Sequence, residues 1–119
     1  MKKRLLIVDD QHGIRNLLSE LFMKEGYETC TAATGKEAIE IVRNEKIDLI
    51  LLDIKIPGMD GIDILNQINK MKKDVKVIMM TAYGELNLLG EAMEKGAAAY
   101  VLKPFDIHEI RQKVKKELD

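Results

Sequence analysis

Hydrophobic positions along the chain fall into two patterns that alternate five times. The first is a short apolar run. Leu5 to Val8, Ile47 to Leu52, Val75 to Met80 and Ala98 to Leu102 are of this kind, and Glu28 to Ala32 is a weaker example. Several of these runs are apolar on successive residues, which predicts strands covered on both faces. The second pattern is a stripe at helical spacing. Ile14, Leu17, Leu18, Leu21 and Phe22 form one, closed by Gly26. Thr34 caps the next helix, with Glu37 three positions on as its reciprocal partner. Ala38, Ile39 and Val42 supply that helix's buried side. Ile62, Leu65 and Ile68 line a third helix. Leu86, Leu89 and Met93 mark a fourth, ended by Gly96. Its interior Gly90 costs about 1 kcal/mol relative to Ala. Asp106 and Glu109 open the fifth by the same capping logic, with Ile107, Ile110, Val114 and Leu118 on one side.

Strands alternating with helices predict a parallel α/β sheet with helices on both faces. Right-handed crossovers then favour an open, doubly wound arrangement. A closed eight-stranded barrel needs many more residues. No linker, low-complexity stretch or internal repeat interrupts the pattern, so residues 1–119 read as one domain.

Composition narrows the class. Aromatic residues are 4% of the chain, so the core must be built from Ile, Leu, Val, Met and Ala. The net charge of -1 gives no reason to expect attraction to nucleic acid or membrane. Cys30 is the single cysteine and reads as an inert sheet residue. The absence of disulfide support fits a reducing cytoplasm. Met1 to Arg4 are followed by only four apolar residues, too few for export or a membrane span.

The polar residues that matter sit at strand ends. Asp9 and Asp10 follow the first strand, Asp53 the third, Thr81 the fourth and Lys103 the fifth. Ligands of open α/β sheets collect at the carboxyl ends of the strands. Singly, each has an ordinary reading: Asp9 and Asp53 as turn residues, Thr81 as a helix cap, Lys103 as a solvated cation. Grouped, the carboxylates repel one another and call for a cation. Mg2+ suits such oxygen donors, and Mn2+ could substitute. One carboxylate could then attack phosphorus while a lysine offsets charge on the equatorial oxygens. His12 and His108 have no partners at zinc spacing. Gly58 to Gly61 lacks the lysine and hydroxyl of a phosphate-cradling loop, which argues against ATP as direct donor.

The set Leu6-Ile7-Val8-Asp9-Asp10, Leu51-Leu52-Asp53-Ile54-Lys55-Ile56-Pro57-Gly58-Met59-Asp60-Gly61, Met80-Thr81-Ala82 and Lys103-Pro104-Phe105 resembles the receiver domains of two-component response regulators. The resemblance covers essentially the whole chain and implies strand order 2-1-3-4-5. It implies Asp53 as phosphoacceptor. Asp9 and Asp10 would be the magnesium-binding acidic pair, with Asp10 the more direct ligand, and the Lys55 carbonyl would complete the set. Thr81 would bond the phosphoryl group, Lys103 would pair with it, and the Lys103–Pro104 bond would be cis. Tyr100 occupies the switch position.

Ile7-Val8-Asp9-Asp10-Gln11, Gly13-Ile14-Arg15 and Met80-Thr81-Ala82-Tyr83-Gly84-Glu85 are similar to the single-domain regulators of sporulation phosphorelays. Those carry histidine where Tyr100 stands. This likeness implies a sensor histidine kinase as donor, a histidine phosphotransferase as recipient and an aspartyl-phosphate phosphatase as a further partner. It also implies a phosphotransfer intermediate with weak self-dephosphorylation rather than a classical enzyme. Gly13, Ile14, Arg15, Leu18, Tyr83, Pro104 and Phe105 would form the docking surface; the other reading of Ile14 is ordinary helix-to-sheet packing. A chemotaxis-type regulator, acting by phosphorylation-dependent binding, is the alternative. A phosphate-releasing hydrolase fits poorly, since Lys55 stands where a second acid would be needed.

Overall fold

The computed structural model describes residues 2–119. Five parallel strands, β1 (Arg4–Val8), β2 (Glu28–Ala32), β3 (Leu49–Asp53), β4 (Lys76–Thr81) and β5 (Ala99–Leu102), form one sheet in the order β2-β1-β3-β4-β5. The connecting helices are α1 (His12–Lys24), α2 (Gly35–Asn44), α3 (Gly61–Lys70), α4 (Leu86–Glu94) and α5 (Ile107–Leu118). The fold class and strand order expected from the sequence are those found.

Alternate residues of each strand feed two separate cores. Leu6, Val8, Ile50, Leu52, Val77 and Met79 meet Ala38 and Val42 of α2, Ile64, Leu65 and Ile68 of α3, and Leu89 and Ala92 of α4. Leu5, Ile7, Leu49, Leu51, Ile78, Met80 and Val101 meet Leu18 and Phe22 of α1 and Ile110 and Val114 of α5. This is why the central strands read as unbroken apolar runs: both faces are covered.

The helix ends follow the capping residues. Thr34 accepts a hydrogen bond from the Glu37 N–H, Asp60 from that of Asp63, and Asp106 from those of His108 and Glu109. Strand boundaries differ by a residue or two. The expected strand from Ile47 begins at Leu49, and at its start the Asp48 carboxylate accepts the Arg4 N–H at 2.8 Å. The strands expected from Val75 and Ala98 start one residue later. A 3₁₀ turn, Tyr83–Glu85, precedes α4. Ile107 and Leu86, assigned to buried stripes, are 42% and 49% exposed. Both lie in the opening turn of their helices, where the apolar face has not yet met the sheet. Among the described residues, no helix is long and apolar enough to cross a membrane.

Candidate functional site

Strand order sets the site. The chain leaves β1 toward β2 on one side and leaves β3 toward β4 on the other, so the loops beyond these neighbouring strands diverge and open a crevice. Asp9 and Asp10 enter it from β1, and Asp53 is the last residue of β3. One carboxylate oxygen from each lies within 4.8 Å of the others. Asp9 and Asp53 are buried, whereas Asp10 faces solvent.

Every buried oxygen here has a role. Asp9 Oδ1 accepts the Gln11 N–H at 2.9 Å, and Oδ2 accepts from Lys103 Nζ at 2.8 Å. Arg15 donates to the Asp9 carbonyl at 2.8 Å, tying the start of α1 to the end of β1. Lys103 also donates to Asp53 Oδ2 at 3.2 Å, and the Lys55 N–H points at Asp53 Oδ1 from 3.4 Å. Burial pushes the Asp53 carboxyl up to about 6; Lys103 pulls it down and Asp9 pushes it further up. Burial alone would lower the pKa of Lys103, but the hydrogen bond to Asp9 and the charges of Asp53 and Asp9 raise it above the usual lysine value. The Lys103–Pro104 peptide is cis, and the Lys103 N–H donates to the Thr81 carbonyl at 2.7 Å.

Thr81 ends β4 and is fully buried. Its hydroxyl lies 3.3 Å from the Ala82 carbonyl and 3.4 Å from Glu85 Oε1. Glu85 Oε1 also accepts the Ala82 N–H at 2.9 Å. Sequence reasoning gave Glu85 no role, although its position three residues after Ala82 is the spacing of a helix-start cap.

The loop after β3 forms the outer wall. Lys55, Ile56, Pro57, Gly58 and Met59 line a cleft of about 670 Å³ with Asp10. Gly61 lets α3 begin directly against the strand end. A Cβ there would lie 2.7 Å from Ile54 Cα and 2.8 Å from the Asp53 carbonyl oxygen. The three converging donors beside this cleft are carboxylate oxygens, two from buried residues and one from exposed Asp10. That set fits a hard divalent cation such as Mg2+.

The residues assigned to docking separate into groups. Ile14, Leu17, Pro104, Phe105 and Ile107 line an apolar groove of about 510 Å³ between α1 and α5, beside Lys103. Gly13 and Pro104 are exposed, and Ile14, Arg15 and Phe105 are half-buried. Leu18 lies at the floor of this groove but is only 1% exposed, and its side chain packs into the core with Phe22, Ile110 and Val114, so it offers little docking surface. Leu17, 47% exposed, presents the surface that was assigned to Leu18. The one-residue difference reflects the 100° turn per residue, which a stripe of consecutive leucines hides. Tyr83, 71% exposed, stands on the 3₁₀ turn outside this groove. Tyr100 is 39% exposed on β5. His12 and His108 are exposed, and His12 is bonded to Asn16 at 3.0 Å. Cys30 is half-buried on β2, and burial raises its thiol pKa, in keeping with an inert residue.

Residues 5–115 match the response regulator receiver domain. The chain is 56% identical over 118 residues to sporulation initiation phosphotransferase F of Bacillus subtilis, covering 99% of this chain and 95% of that protein. It is 40% identical to the regulatory protein AtoC of Escherichia coli over 97% of this chain, but spans only 25% of that protein's length. Among solved structures, a CheY-like response regulator receiver domain protein of Methanospirillum hungatei superposes with a TM-score of 0.95 at 37% identity, over 100% of this chain and 95% of that one. The fold, the acidic crevice and these matches agree, and the chain belongs to the family of response regulator receiver domains.

Proposed function

We propose that this chain is a phosphorelay response regulator of the sporulation type. It takes a phosphoryl group from a phosphohistidine of a sensor histidine kinase onto Asp53 and passes it to a histidine of a phosphotransferase. The observation that carries this reading is the Asp53 carboxylate, placed at a strand end with two further aspartates and the Lys103 ammonium converging on it. The 56% identity to a sporulation phosphotransferase over nearly the full length of both chains supports the relay output.

Asp9, Asp10, Asp53 and the Lys55 carbonyl would hold Mg2+. When bound, the ion neutralises the clustered carboxylates and the oxygens of the incoming phosphoryl group. An Asp53 oxygen attacks phosphorus in line. The P–O bond to Asp53 forms as the P–N bond breaks, and the imidazole leaves with the electron pair. Lys103, already shared between Asp9 and Asp53, moves its charge onto a phosphoryl oxygen. Thr81 leaves Glu85 and donates its hydroxyl to another. The acyl phosphate formed is a mixed anhydride, reactive toward a second imidazole and, more slowly, toward water. The groove beside Lys103 would seat a helix of either histidine protein, and an aspartyl-phosphate phosphatase would meet the same edge. All of these steps suit a cytoplasmic protein.

Tyr100, partly exposed on the edge strand, favours a second reading in which the phosphorylated chain binds an effector instead. Phosphotransfer profiling with purified histidine kinases and histidine phosphotransferases tests both. Label should appear on the parent chain, fail to accumulate on Asp53→Asn, and leave for a second histidine protein. Label retained while a partner binds would favour the effector reading. Base-labile label on Asp53→Asn would defeat both.

A further inference from the structure

Tyr100 is held from the opposite layer of the molecule. β5 is an edge strand, and Tyr100 pairs with Met79 of β4 while Leu102 pairs with Thr81. Paired residues of parallel strands share a face, so Tyr100 and Thr81 lie on the same side of the sheet, one strand and two residues apart. Lys113 belongs to α5, which packs on the other side. Its side chain reaches round the β5 edge. The ammonium sits 4.7 Å from the Tyr100 ring centroid and donates a hydrogen bond to the Tyr100 carbonyl. Glu109 Oε1, one helical turn back, lies 3.6 Å from the same ammonium.

We infer that Lys113 is a positioning residue for Tyr100: it pins the ring at the outer edge of the sheet and so biases the chain toward its unphosphorylated state. This rests on the roles of Asp53 and Thr81 proposed above. Thr81 is fully buried with its hydroxyl toward Glu85. When that side chain turns to a phosphoryl group on Asp53, it vacates volume on the face shared with Tyr100. An unfilled void in a close-packed interior is unfavourable. Tyr100 is a large, partly exposed side chain on the neighbouring strand, able to fill the space by swinging inward. Doing so forfeits the cation–π contact with Lys113, which opposes the change.

Titration with beryllofluoride in the presence of Mg2+, followed through the ring NMR signals of Tyr100, tests this. Lys113→Met keeps length and removes the cation, and should lower the half-saturating beryllofluoride concentration by about two- to five-fold. Lys113→Arg should restore the parent value. In a Tyr100→Ala background, with backbone amide signals as the readout, Lys113→Met should have no effect. An unchanged titration for Lys113→Met, or a shift that persists without Tyr100, would overturn the inference. Failure of the parent chain to take up beryllofluoride, or uptake by Asp53→Asn, would instead remove the reading of the site on which it stands.

Discussion

The ammonium of Lys103 lies 3.2 Å from Oδ2 of Asp53, but it is shared with Asp9, whose Oδ2 is nearer at 2.8 Å. One cation thus serves two buried carboxylates. Burial is the main cause of the raised pKa of Asp53, about 6 against an ordinary 3.8; Lys103 offsets part of it and the charge of Asp9 adds to it. On the proposed function, a divalent ion would supply the positive charge that these clustered carboxylates lack at rest.

That imbalance has a pH signature. A carboxyl whose folded pKa exceeds its unfolded value binds its proton more tightly in the fold. Between about pH 4 and pH 6 the folded state therefore holds more protons, and this group makes stability fall as pH rises through that window. Above about pH 6 the full cost is present. A gap of roughly two pKa units corresponds to about 3 kcal/mol at most. Asp53→Asn removes the charge and leaves Lys103 its bond to Asp9. In EDTA at neutral pH the variant should be more stable than the parent by about 1–3 kcal/mol. Urea unfolding across the pH range should show that advantage vanishing near pH 4. A variant less stable than the parent at neutral pH would mean that Lys103 compensates Asp53 fully.

Gly61 gives a second, geometric test. A Cβ at this position would meet Ile54 Cα at 2.7 Å and the Asp53 carbonyl oxygen at 2.8 Å, both backbone atoms that cannot rotate away. Gly61→Ala must therefore push α3 and the end of β3 apart. The expected loss is about 1–3 kcal/mol by denaturant unfolding. On the proposed reading of the site, magnesium affinity should fall as well, because the displaced segment carries Asp53.

Much of this was legible in the chain itself. Unbroken apolar runs at Leu5 to Val8 and Leu49 to Leu52 required a sheet covered on both sides, and Thr34 with Glu37 marked a helix start that the structure contains. Asp9, Asp10 and Asp53 could be assigned to one edge because strand ends in a parallel sheet share a direction, and their oxygens do converge. Face assignments within a helix were less readable. Leu17 and Leu18 are chemically identical neighbours, and only packing against Phe22, Ile110 and Val114 decides which is buried. Side chains that bridge layers left no local trace. Lys113 and Tyr100 are 13 residues apart, and nothing periodic links them.

Gly90 stands in the interior of α4, exposed and with nothing within 4 Å of an added Cβ. Its backbone cost in the helix is therefore uncompensated by any close approach. Gly90→Ala should stabilise the chain by about 0.5–1 kcal/mol in thermal or urea unfolding, with unchanged labelling of Asp53 by acetyl phosphate. A destabilised variant would point to a role for α4 flexibility that the contacts do not reveal.

The groove between α1 and α5 separates docking from packing by adjacent residues. Leu18 is 1% exposed, so Leu18→Ala should cost about 2–5 kcal/mol and impair every activity through loss of fold. Leu17 is 47% exposed on the groove, so Leu17→Ala should change stability by no more than about 0.5 kcal/mol. If a histidine protein seats there, Leu17→Ala should slow phosphotransfer from a cognate kinase several-fold while leaving labelling by acetyl phosphate intact, since a small donor needs no docking surface. Ile14, half-buried against the same core, should show both effects in part. Equal rates for Leu17→Ala and the parent with the kinase would place the docking surface elsewhere on the crevice rim, with exposed Tyr83 on the 3₁₀ turn as the next residue to replace.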